Sequence, residues 1–290
     1  MRLRWRGGEL APAPTIMGIL NLTPGSFFDG GRYVGVDACV HRAWEMLFQG
    51  AGILDLGAES TRPGADAVSD AVQLGRLLPV LEALADPSGP RGAFPLPISV
   101  DTTSSVVAER ALAAGACIVN DVTAGEADPR ILEVAAEAGA AVILMHMRGT
   151  PRDMQQQTDY ADVVDEVVQH LEARCSAATK AGVPQEHQAV DPGIGFSKTP
   201  DGCVELLGRL GELRRLERPI LLGASRKSFL GRRFGLEGDG RLHGSIAAAV
   251  VGVLQGADIL RVHDVEETAA AVLVAHGTSE YRTPRGDARM

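Results

Sequence analysis

The chain has 290 residues, 45% of them hydrophobic and 22% charged, enough apolar material for one large domain with a substantial core. Its formal charge of −9 excludes a general binder of nucleic acid or of anionic membranes, both of which select a basic surface. A phosphorylated small molecule stays compatible, since a few local cations outweigh carboxylates more than a screening length away.

In chain order, residues 1–14 read as a preamble at the floor of the domain, and no apolar signal core follows Met1 because Pro12 and Pro14 intervene. Short aliphatic runs then recur at Thr15–Leu20, Ile53–Leu56, Ile98–Val100, Cys117–Val119, Ala141–Met145, Gln188–Val190, Ile220–Leu222 and Ile259–Val262. Near-continuous apolar runs of this length are strands buried on both faces, as in a parallel sheet covered by helices.

Helical periodicity fills the intervals. Val36–Gln49 carries Val36, Val40, Ala43, Met46 and Leu47 at spacings of three or four and stops at Gly50. Ser104–Ala114 follows Thr102 and Thr103 as candidate N-caps, and Asp128–Ala138, Tyr160–Ala181, Val204–Leu213, Arg241–Gln255 and Val265–His276 repeat the theme. Ala85–Pro97 reads as a loop, and the polar tail 277–290 as frayed. Eight β/α alternations predict an α/β (β/α)8 TIM barrel over residues 15–276, with the active site at the C-terminal ends of its strands.

The unusual polar residues fall at those ends: Asn21, Glu59 to Arg62, Asp101, Asn120 and Asp121, His146, Asp191, Ser225 to Lys227, Arg261 and His263. Asp101, Asn120 and Asp191 suit a flat heterocycle with several N–H donors, and Lys227 suits a ring carbonyl or nitrogen. Arg62, Arg261 and His263 supply donors for an anion, and Asn21 offers a carbonyl oxygen to Mg²⁺. No zinc spacing, Walker loop or dinucleotide fingerprint is present.

Simpler readings stand beside these. Asp101 also suits a helix N-terminus, Asn120 and Asp121 a cap, and His146 a satisfied core position. His41, His170 and His276 read as packing or surface residues, and Arg226 as a solvated or structural cation. Ser225 lacks a Ser-His-Asp context, so covalent catalysis is disfavoured. The cysteines Cys39, Cys117, Cys175 and Cys203 form no CxxC pair, which favours a reduced cytoplasmic protein, and no stretch is long enough to span a membrane.

Several motifs in order resemble the dihydropteroate synthase family: Met17 to Gly31, Glu59-Ser-Thr-Arg-Pro-Gly64, Ser99-Val-Asp-Thr102, Asn120-Asp121, Leu144-Met-His-Met147, Asp191 to Lys198, Ser225-Arg-Lys-Ser228 and Arg261-Val-His-Asp264. The resemblance implies a transferase of folate biosynthesis that joins 6-hydroxymethyl-7,8-dihydropterin diphosphate to p-aminobenzoate and releases pyrophosphate. It implies Asp101, Asn120, Met145, Asp191, Phe196, Gly223 and Lys227 around the pterin, and Asn21, Thr61, Arg62, Arg261 and His263 around the diphosphate and its Mg²⁺.

Phe27, Thr61, Arg62, Pro63, Phe196, Ser225 and Lys227 would surround p-aminobenzoate, and Asp101, Lys227, Arg261 and His263 would carry the chemistry. A homodimer that takes small-molecule substrates, with neither nucleic acid nor membrane as partner, and a target of sulfonamides are likewise implied. The first loop departs from the family: Gly25 replaces the usual Asp after Thr-Pro and Phe28 a small polar residue, while Asp29 is in its expected place. That departure bears on loop closure. Rivals are a methyltetrahydrofolate-dependent methyltransferase barrel and a pterin-binding paralogue without turnover, with a generic phosphosugar barrel a distant third.

Overall fold

A computed structural model describes residues 2–11, 13–23, 35–60 and 68–279. Two short strands, β1 (Arg4–Trp5) and β2 (Gly8–Glu9), form an antiparallel hairpin. Eight further strands follow: β3 (Thr15–Asn21), β4 (Ile53–Gly57), β5 (Ile98–Asp101), β6 (Ile118–Asp121), β7 (Ala141–Met145), β8 (Gln188–Asp191), β9 (Leu221–Leu222) and β10 (Ile259–Val262). All pair in parallel in the order β8-β7-β6-β5-β4-β3-β10-β9. A single parallel bridge between Val190 and Ile220 joins the two ends, so the sheet curls into the expected barrel.

The helices are α1 (Val36–Phe48), α2 (Asp70–Ala85), α3 (Ser105–Ala113), α4 (Arg130–Ala138), α5 (Val163–Lys180), α6 (Pro200–Gly208), α7 (Ser228–Phe234), α8 (Asp239–Leu254) and α9 (Val265–Ser279). Two of them, α2 and α7, escaped the sequence reading. Helix α2 carries Pro79 in its interior, which removes one backbone donor and masks the periodicity, while α7 has only seven residues.

Other boundaries shift for identifiable reasons. The N-cap of α3 is Ser104, whose hydroxyl accepts from Val107 N at 3.3 Å, rather than Thr102 or Thr103. Asp162, in extended conformation, accepts from Val164 N and Asp165 N, so α5 starts after it and not at Tyr160. The expected helix at Val204–Leu213 is instead α6, started by the Thr199 cap and Pro200, followed by a 3-10 segment at Leu210–Leu216. Gly277 lies within α9, which runs to Ser279, so the tail is helical for longer than expected.

The strands alternate with period two, which divides the core in two. Ile16, Leu20, Leu54, Leu56, Val119, Val142, Leu144, Val190, Leu222, Leu260 and Val262 face outward and pack with the helices in one cluster. Met17, Ile53, Ile118, Ala141, Ile143, Ala189, Leu221 and Ile259 face inward in a second, which Leu3 and Leu10 of the hairpin segment join. The preamble therefore plugs the barrel floor, and Arg6 N–H fixes it by donating to Gly139 O at 2.7 Å.

Candidate active site

Two residues beyond the apolar inward layer, six of the strands present their next inward position, and there the chemistry changes. Counting by two from Ile53, Ile118, Ile143, Ala189, Leu221 and Ile259 gives Asp55, Asn120, Met145, Asp191, Gly223 and Arg261. Asp101 joins them through its registry with Gly57 and Asn120, and Asn21 through its registry with Gly57. The expected residues thus share one end of the barrel because the pleat puts them there.

The centre is a charge cluster. The Arg261 guanidinium donates through Nε to Asp55 Oδ2 at 2.7 Å and through Nη2 to Asp101 Oδ2 at 2.7 Å. Arg261 was expected among the diphosphate's donors; here it also bridges two buried carboxylates. Asp55 was missed altogether, although a carboxylate inside Ile53-Leu-Asp-Leu56 is the anomaly that should reveal it. It has no exposed surface, and its Oδ1 has no hydrogen-bond partner. Asn120 Nδ2 lies 3.5 Å from Asp55 Oδ2.

Two carboxylates share one cation, so burial, with Asp55 adding repulsion, pushes Asp101 up to about 7 despite the Arg261 contact. A carboxyl raised above its unfolded value stabilises the fold below that unfolded value, and the stabilisation is lost as pH rises through the folded one. The melting temperature of the ligand-free protein is therefore expected to fall between about pH 4 and pH 7. Asp101→Asn should flatten that slope; an unchanged slope in a thermal-melt series would remove the assignment.

Asp191 and Lys227 form the opposite wall. Asp191 Oδ1 accepts from Gly193 N at 2.7 Å, and burial raises this carboxyl too, against the pull of Lys227. Lys227 donates to Ile194 O and its ammonium lies 4.6 Å from the centre of the Phe196 ring. Burial lowers the lysine to about 8, with the Asp191 charge opposing. A Cβ on Gly223 would stand 3.7 Å from both Asp191 Oδ2 and Lys227 Nζ, so the glycine leaves a planar ligand room beside them. Met145 and Phe196 pack with Val122, Met147 and Met154 as the apolar lining.

On the remaining side, Ser225 Oγ lies 3.0 Å from His263 Nδ1 and accepts from His263 N at 3.2 Å. Arg226 holds Asp264 with Nε and Nη2, which confirms it as a structural cation joining the β9 and β10 loops. Asp121 is structural as well, accepting from Thr123 N and Gly125 N. Glu59 accepts from Val68 N at 2.8 Å and pins the base of the second loop. Gly25, Phe27, Phe28, Asp29, Thr61, Arg62 and Pro63 lie outside the described residues.

For Mg²⁺ the donor set can be tested. A Cβ on Gly57 would stand 3.4 Å from Asn21 Oδ1 and 3.9 Å from Asp101 Oδ2, so hard oxygen donors border a space that only glycine leaves open. The described residues contain no group of three or more metal-binding side chains. One amide oxygen and a nearby carboxylate fit an ion that keeps water and takes its other ligands from a diphosphate.

The comparisons agree with this chemistry. The family model for pterin-binding enzymes matches residues 17–263. A dihydropteroate synthase of Synechocystis is 45% identical over 261 residues, which are 90% of this chain and 88% of that protein. The Escherichia coli dihydropteroate synthase is 43% identical over 265 residues, 91% and 92% of the two chains.

Among solved structures, the Yersinia pestis dihydropteroate synthase in a sulfonamide complex superposes with a TM-score of 0.88 at 40% identity, covering 97% of this chain and all of that one. The Xanthomonas albilineans enzyme with 4-aminobenzoic acid gives 0.86 at 41% identity, covering 98% and 99%. With the polar layer, the barrel and these likenesses in agreement, the chain belongs to the dihydropteroate synthase family of pterin-binding enzymes.

Proposed function

We propose that the chain condenses 6-hydroxymethyl-7,8-dihydropterin diphosphate with p-aminobenzoate to give 7,8-dihydropteroate and pyrophosphate. The observation that carries this reading is the convergence of Asp101, Asn120, Asp191 and Arg261 in one inward layer, with the Lys227 ammonium beside Asp191 at Gly223. Asp191 and Asn120 receive the donor edge of the pterin, Lys227 its acceptor edge, and Met145 and Phe196 its faces. Arg261, His263 and Asn21 receive the diphosphate, and Ser225 lies beside His263 for either anion. Bound Mg²⁺ would neutralise charge developing on the leaving diphosphate.

The reaction needs no strong base, because an arylamine is neutral at pH 7. The methylene C–O bond breaks and its electron pair leaves with pyrophosphate. Asp101 stabilises the electron-deficient methylene, whose charge the ring shares. The amine nitrogen then forms the new C–N bond and loses a proton to solvent. Purified protein with both substrates and Mg²⁺ should release pyrophosphate in proportion to dihydropteroate. Pterin binding without pyrophosphate above background would instead favour the silent paralogue.

A homodimer belongs to the same proposal, supported by the exposed apolar side chains of Val251 and Leu254 on α8 and Leu273 and Val274 on the adjoining α9. So does a cytoplasmic setting, with Cys39, Cys175 and Cys203 buried as packing residues. Among the described residues no helix is long and apolar enough to cross a membrane.

A further inference from the structure

Behind the pterin wall lies a buried lysine that the proposed mechanism does not use. Lys198 is 3% exposed, and its Nζ lies 2.8 Å from His146 Nδ1, 3.0 Å from Phe196 O and 3.4 Å from His146 O. An ammonium has three protons, and here it has three acceptors, all neutral. Two belong to the end of β7 and one to the turn after β8. The lysine therefore ties two neighbouring βα loops together beneath the site.

The turn it holds is built largely from left-handed backbone. Gly193, Gly195 and Ser197 all have positive φ, at 68°, 85° and 48°, the last without a glycine's freedom. A Cβ on Gly193 would stand 2.0 Å from His146 O, so the turn rests directly on the β7 backbone. This same turn supplies Ile194 O, which receives Lys227, and Phe196, whose ring lies under the Lys227 ammonium. Lys198 closes the Asp191 to Lys198 motif, yet no spacing in the sequence assigns it a role.

We propose that Lys198 is a positioning residue of the pterin site, clamping the turn after β8 to His146 so that Ile194 O and the Phe196 ring fix Lys227. This rests on the pterin reading of the site given above. Burial supports the arrangement by holding His146 neutral, down to about 2, which leaves Nδ1 free to accept. Burial also lowers Lys198 to about 7, while the Cys203 and Asp191 side raises it and Lys227 and Arg148 oppose. Its charge in turn helps keep Asp191 ionised, alongside Lys227, Arg261 and the Gly193 N–H.

The test is Lys198→Met, which keeps the stem and removes the donors. The KM for the pterin diphosphate should rise about tenfold, and that for p-aminobenzoate, which meets Phe196 and Lys227 but not Asp191, should rise several-fold less. With one cation gone, Asp191 takes its proton more readily, so the acid limb of the pH profile should move to higher pH. His146→Leu should give the same KM split, and His146→Asn, whose amide oxygen replaces Nδ1, should recover part of it.

Should Lys198→Met fold poorly, fluorescence titration of the folded fraction with the pterin alone decides the point through His146→Leu. Equal losses for both substrates, or a lower melting temperature with an unmoved KM ratio and pH profile, overturn the proposal. If the wild-type protein binds pterin yet releases no pyrophosphate, the synthase reading fails, and the same titration still judges Lys198.

Discussion

Asp191→Asn should weaken pterin binding by about a hundredfold, close to the ~3 kcal/mol upper end for a hydrogen bond to a charged group. The substitution is nearly isosteric, so it changes charge and donor pattern rather than packing. Asp191 Oδ1 already accepts from Gly193 N, and its Oδ2 faces the space beside Gly223. Asparagine must turn its NH₂ toward one of them, opposing either the turn's N–H or the ligand's donor edge.

A second signature follows from Lys227, which the Asp191 charge now raises against burial. Removing that charge lowers the lysine further, so residual binding should fade at a lower alkaline pH than in the wild type. Calorimetric titration of the pterin across about pH 6 to 9, a range that brackets the lowered lysine at about 8, reads both effects. Wild-type affinity in Asp191→Asn would remove this residue from the site.

Arg261→Leu is expected to cost more, because it leaves Asp55 and Asp101 buried without their shared cation. Breaking such a pair by removing one partner costs about 3–5 kcal/mol, a large share of the ~5–15 kcal/mol that holds a domain folded. The variant should also lose synthase activity, since Arg261 is the cation nearest Asp101 at 2.7 Å.

The pH dependence identifies the cause. Without the guanidinium the Asp101 carboxyl loses the charge that lowers it and is raised further, so the variant gains stability on acidification and loses it as pH rises through that value. Denaturant midpoints of variant and wild type should therefore converge toward acid pH and diverge toward neutrality. Parallel curves would mean that the loss is one of packing. Arg261→Lys should recover only part, because one ammonium cannot reproduce the fork that meets both carboxylates.

The residues that were legible in the sequence were those that broke a pattern at a strand end. Asp101, Asn120, Asp191 and Arg261 each close or nearly close an aliphatic run, and counting by two from the apolar layer would have placed them together. Asp55 hid because it interrupts its run in the middle, where the eye averages it into the strand. Lys198 hid because its partners are backbone oxygens and a histidine 52 residues away, contacts that no local spacing announces.

Arg261 was legible as a cation but not as the bridge between β4 and β5, since its partners lie 206 and 160 residues distant. Helix α2 hid for a local reason, the proline inside it. Asp121 shows the converse: its carboxylate sits at a strand end yet is consumed by its own turn, so position alone does not make a ligand residue.

The two-residue alternation also governs which changes of length the chain can accept. Deleting one residue inside β5 or β8 would bring Val100 or Val190 to the inner face and send the adjoining aspartate into the helix layer. No compensating substitution elsewhere restores that exchange, because every later side chain of the strand is reversed with it. Segments between strands carry no such parity, so descendants of this sequence are free to lengthen their loops and helices but must conserve the count within each strand.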